Sequence, residues 1–150
     1  YFLNFGKLDK KSYLNSFDDN NQLNEYYFNL TNGSLELSKK FDEHNLHIIK
    51  DHFKNLICGV KIIKSNTPYH YLTYVKDNYN EEDDKTIFFN FLQLIVSNEI
   101  KKIHKYKSFS HILKLSRIYQ IINDVSKNYS VLNMDFENSI NSLFYQIKNV

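Results

Sequence analysis

The chain has 150 residues, 42% hydrophobic and 16% aromatic, with a formal net charge of +2. That is the size of one domain or of two small ones with a bulky core, and the near-neutral balance makes no electrostatic case for a nucleic-acid or membrane partner. A single cysteine, Cys58, excludes an intramolecular disulfide and a cysteine-based zinc site, and three glycines leave no glycine-rich phosphate loop.

The chain contains no Ala and one Arg, Arg117, against many Lys, Asn, Ile and Tyr. We read this as codon bias in an A+T-rich genome, not as a functional signal. A first residue Tyr1, with no Met and no leader, suggests a piece of a longer protein. The most apolar run, Ile87 to Val96, is interrupted by Asn90 and Gln93 and falls short of the roughly 20 residues of a membrane span.

Tyr1 to Phe5 has the apolar, aromatic character of a short strand remnant, closed by Gly6. Asp9 is a good N-cap for a helix over about 10–17, which Asp18 to Asn21 breaks. A second helix runs over about 22–31, stopped by Asn32-Gly33, with Gly33 supplying the left-handed C-cap. Ser34 caps a third short helix carrying Leu35, Leu37 and Phe41.

Leu46 to about Lys64 shows a sustained helical face (Leu46, Ile49, Phe53, Leu56, Ile57, Val60, Ile63), weakened at Gly59 by roughly 1 kcal/mol relative to Ala. Thr67-Pro68 reads as an N-cap and first helical position. A helix over about 68–78 is preferred to a β-hairpin of Val60–Lys64 and Tyr69–Val75, because no two-residue glycine turn joins those segments.

Acidic residues at Asn80 to Asp84 open a long helix to about His104, with Lys101, Lys102 and Lys105 suiting its far end. Its middle is apolar on most sides, so it is expected to be the central buried helix. Ser108 or Ser110 caps the next, about 110–129, with Ile112, Leu115, Tyr119, Ile122, Val125 and Tyr129 on one face. Asp135 caps a closing helix to about 149, whose core stripe is Phe136, Ile140, Leu143, Phe144 and Ile147.

Few residues suggest chemistry. His44, His47 and Asp51 would share a helix face as metal ligands only if that helix starts early enough; solvated polar groups are the expectation, and no metal, cofactor or catalytic group is assigned. No nucleophile-elbow motif is present. His104 and His111 flank a Lys-rich loop, and Lys101, Lys102, Lys105, Lys107 and Lys114 read as a solvated helix end. Tyr69, Tyr71 and Tyr74 lack the interleaved basic residues of a base-stacking platform. Cys58, among Leu56, Ile57 and Val60, reads as a small buried hydrophobe.

Four blocks, in order, resemble the C-terminal half of a bacterial clamp-loader subunit of DNA polymerase III, most closely the δ′ (delta prime) branch. Leu3 to Asp9 resembles the last strand of the AAA+ module and the entry to its lid, with Gly6 and Lys7 where the family has prolines. Leu30 to Lys39, through Gly33-Ser34, resembles the lid turn, with Ser38 near the usual Ala. Phe89 to Ile100 resembles a collar helix, without its usual terminal Arg-Asp. Ile121 to Val125, Asn133 to Asp135 and Leu143 to Ile147 resemble the closing helix pair. Where ATP-hydrolysing subunits place an Arg three residues after the lid glycine, this chain has Glu36, whose carboxylate would repel phosphate.

The resemblance implies an all-α fold, with residues 1–44 as the end of an AAA+ module and its helical lid, and 45–150 as a five-helix collar. It implies a non-catalytic, cytoplasmic δ′-like subunit of the DNA polymerase III holoenzyme. Its partners would be γ/τ-like and δ-like subunits in a hetero-oligomer, with the sliding clamp and primed DNA reached only through the full complex, and no membrane. Arg117, Tyr119 and Tyr145, on faces the core need not use, are the candidate interface residues. A stand-alone helical interaction module, a viral or parasite adaptor, is the alternative.

Overall fold

The computed structural model describes residues 8–17, 22–59, 82–103, 109–132 and 134–150. Among these residues the fold is all-helical, with no strand. The helices are α1 (Lys10–Leu14), α2 (Gln22–Thr31), α3 (Leu35–Glu43), α4 (His47–Ile57), α5 (Glu82–Ile103), α6 (Phe109–Leu132) and α7 (Phe136–Lys148). The chain separates into two compact units, Tyr1–His47 and Ile48–Val150. The expected strand remnant at Tyr1 to Phe5, and the competing helix and hairpin over 60–78, lie outside the described residues.

In the first unit, helix starts follow the capping residues. Asp9 accepts the Lys11 and Ser12 amides at 3.0 Å and the Ser12 hydroxyl at 2.7 Å. Those hydrogen bonds, the Ser12 hydroxyl first, hold its carboxyl below the ordinary 3.8. Ser34 caps α3 by accepting the Leu37 amide at 3.5 Å. Lys10 pairs with Glu25 across α1 and α2.

At the helix stops Gly33 takes the expected left-handed conformation, and Asn residues share that role. At the end of α2 the Gly33 amide donates to the Phe28 carbonyl at 2.9 Å, the six-to-one bond of a Schellman motif. The C′ residue of that motif is Asn32, at φ 56°, with Gly33 following at φ 85°. The motif recurs after α3, where Asn45 has φ 52°, its amide donates to Asp42 at 2.9 Å and the Leu46 amide donates to Phe41 at 3.0 Å. Asn tolerates this backbone better than other residues with a Cβ because its short polar side chain bonds locally. Leu46 and Phe41 are both fully buried, supplying the apolar C″ and C3 residues of the motif.

The core of this unit is aromatic. Tyr13 stacks edgewise on Phe28, with centroids 5.0 Å apart, and tilts against Phe17 at 5.2 Å. Tyr27 lies 6.1 Å from Phe41 and donates its hydroxyl to the Phe41 carbonyl at 3.2 Å. Buried hydroxyls satisfy one another: Ser38 Oγ donates to the Ser34 carbonyl at 2.7 Å and lies 3.0 Å from Thr31 Oγ1.

In the second unit α5 packs most extensively on α6, and α6 on α7. As expected for a central helix, α5 buries Phe88, Phe89, Phe91, Leu92, Ile95 and Val96. Phe136, at the start of α7, meets Phe88, Phe89 and Tyr129 with centroids 6.1, 5.7 and 5.4 Å away. Asp135 caps α7, accepting the Asn138 amide at 2.8 Å, and all five residues of the expected stripe are buried. Helix α4 joins through Phe53, 6.5 Å edge-on from Phe144, and through Lys54, 3.8 Å from Glu99.

Two expectations are corrected here. The helix expected from Leu46 to Lys64 ends at Ile57, because Gly59 is not an interior glycine: it takes φ +70° as the C′ residue, its amide donating to the Leu56 carbonyl at 3.3 Å. On α6 the core position falls on Ile118, fully buried, and not on Tyr119. Of the five helices expected in the larger unit, four are described; the fifth would lie within 60–81.

Candidate interaction surface

The long helix α6 turns Leu115, Ile118, Ile122, Val125 and Tyr129 inward. Its opposite side carries residues that a solvated helix face does not require. Phe109 is 74% exposed, Leu113 53% and Val131 71%; at the helix end Leu132, nearer the inward side, is 64% exposed, and Met134, just beyond, 42%. Sequence reasoning had not selected these five. Phe109 and Leu113 are four apart and off the Leu115/Ile118/Ile122 side, so a helical projection would have marked them.

The three residues expected at an interface are all exposed. Arg117 lies on the outer side of α6. Tyr119, 39% exposed, sits on the margin between that side and the core. Tyr145, 72% exposed, projects from α7, and its carbonyl accepts the Asn149 side-chain amide at 2.9 Å. Glu36, in the first turn of α3, is exposed and pairs with Lys40 at 3.0 Å.

The electrostatics of the larger unit are local. Glu99, only 11% exposed at its side chain, receives Lys102 at 2.9 Å and Lys54 of α4 at 3.8 Å, so one cation of the expected basic region and one from α4 are directed onto one carboxylate. Lys101 is exposed, and Lys114 half-buried. Lys105, Lys107 and His104 are outside the described residues. Lys85 holds its ammonium 5.9 Å from the Tyr129 ring and 5.7 Å from that of Phe136, a cation–π clamp between α5 and the α6–α7 corner.

The metal possibility at His44, His47 and Asp51 fails on geometry. His44 is the C-cap of α3 and His47 opens α4, with left-handed Asn45 between them, so the three do not share a helix face. Among the described residues no group of three or more His, Cys, Asp or Glu is arranged to hold a metal ion. Among those residues no helix is long and apolar enough to cross a membrane. Cys58 is half-buried in the turn after α4. No protein-family model, curated protein or solved structure matches this chain.

Proposed function

We propose that this chain is a non-catalytic assembly module, in its most specific form the lid and collar region of a δ′-like clamp-loader subunit acting in DNA replication in the cytoplasm. The observation that carries the assembly reading is the set of large apolar side chains left outside a fully packed α5–α6–α7 core: Phe109, Val131, Leu132 and Tyr145 are each at least 64% exposed. Aromatic and arginine side chains dominate the energetics of protein interfaces, and Tyr145, Tyr119 and Arg117 supply both types on the outer sides of the closing helices.

The clamp-loader form draws on the order of the sequence blocks. It is also supported by the occurrence of a small and a larger helical unit, dividing between His47 and Ile48. Glu36, a carboxylate where ATP-hydrolysing subunits carry an Arg, suits a branch that does not hydrolyse ATP. In this role the collar helices hold neighbouring subunits side by side, and contact with the clamp and primed DNA belongs to the whole complex.

Mixing the chain with γ/τ-like and δ-like subunits and measuring mass by size-exclusion with light scattering tests the reading. A hetero-complex is expected, weakened about tenfold by Tyr145→Ala, a loss of about 1.4 kcal/mol. Components that elute separately would overturn it.

A further inference from the structure

The outer stripe of α6 has a symmetry of its own. At about 100° per residue, Phe109, Leu113, Arg117, Gln120, Asp124, Lys127 and Val131 fall within one sector roughly 80° wide. All seven are exposed. Outward from Gln120 the stripe is apolar at both ends, with Arg117 on the N-terminal side and Asp124 and Lys127 on the C-terminal side. The two charges nearest the centre are opposite in sign, Arg117 toward the N-terminus and Asp124 toward the C-terminus. Neither makes an ion pair among the described residues.

A two-fold axis through Gln120 turns this pattern into its own complement. In an antiparallel pair Phe109 of one copy faces Val131 of the other, and Leu113 faces the aliphatic stem of Lys127. Arg117 meets Asp124. Each contact occurs twice, because a two-fold interface is isologous. Gln120 faces its own equivalent, and a primary amide both donates and accepts. A parallel pair would set Arg117 on Arg117 and Asp124 on Asp124, and like charges facing each other oppose association.

The geometry points to antiparallel self-association of this chain, α6 against α6 of a second copy, centred on Gln120. The 24 residues of α6 make a seam about 36 Å long. A single helix pair of this length is at the low end of interface sizes, so the dimer is reversible and in the micromolar range. The inference rests on the α6 surface and not on the clamp-loader resemblance.

Sedimentation equilibrium of the full chain, from low micromolar to submillimolar concentration, reads this out. The mass is expected to rise from one chain to two. Arg117→Asp places carboxylates opposite each other on both sides of Gln120 and should raise the dissociation constant at least about tenfold; adding Asp124→Arg restores the pairing and the affinity. Val131→Lys, which inserts a cation at each apolar end, should also weaken the dimer. A chain that stays monomeric throughout, a dimer indifferent to Arg117→Asp, or a double variant that does not recover affinity would overturn the inference. Self-association with no hetero-complex would count against the clamp-loader reading alone, and a hetero-complex without self-association against this inference alone.

Discussion

Tyr13 concentrates the physics of the first unit in one side chain. Its ring is fully buried between Phe17 and Phe28, yet its hydroxyl closes no hydrogen bond among the described residues. The Ser38 hydroxyl beside it is already directed to the Ser34 carbonyl and Thr31. A buried, unsatisfied hydroxyl costs about 1–3 kcal/mol, so Tyr13→Phe should leave stability in urea unchanged or raise it. Burial pushes the phenol above its ordinary 10.0, with Asp42 pushing the same way and Ser38 opposing. The folded state therefore holds this proton more tightly than the unfolded chain. That contribution is complete below pH 10.0 and is lost as pH rises through the folded value. Denaturation midpoints measured across alkaline pH should fall less steeply in Tyr13→Phe than in the parent.

At the scale of the element, helix ends rest on left-handed residues, Asn32 followed by Gly33, Asn45 and Gly59. A Cβ at Gly59 would meet nothing within 4 Å, so Gly59→Ala tests backbone conformation alone. It should cost about 1–2 kcal/mol, read as a lower urea midpoint with an unchanged slope. Gly59 was legible as a weak point but not as a stop. Local sequence offers an apolar face on both sides of it, and only the backbone angle distinguishes an interior glycine from a C′ glycine.

The same limit applies to α6. Tyr119 and Ile118 are adjacent, 100° apart, and a stripe drawn through Leu115 and Ile122 passes near both. The packed neighbours chose Ile118. Ile118→Ala should cost about 2–5 kcal/mol, and Tyr119→Ala less than about 0.5 kcal/mol. Equal losses in thermal melts of the two variants would contradict the assignment.

At the scale of the whole molecule, each unit has its own buried aromatic centre: Tyr13, Tyr27 and Phe41 in the first, and Phe53, Phe88, Phe89 and Phe91 in the second. Separate cores predict separable stability. Phe41→Ala should remove about 3–5 kcal/mol from the first unit and raise amide exchange in α2 and α3. Exchange in α5, α6 and α7 should keep its parent rate. Simultaneous loss of protection in both groups would show a single cooperative unit instead.

The sequence by itself determined the helical class, the N-caps at Asp9, Ser34 and Asp135, and the stripe from Phe136 to Ile147. These are short-range matters: a cap reaches two or three residues, and an amphipathic period declares which face must leave water. The tertiary structure decided what depends on distant neighbours. It separated His44 from His47, directed Lys54 and Lys102 onto Glu99, seated Ile118 in place of Tyr119, and left Phe109, Leu113, Val131 and Leu132 outside the core. Apolar side chains are buried only where a partner surface exists to cover them, and the chain's own helices cover one side of α6.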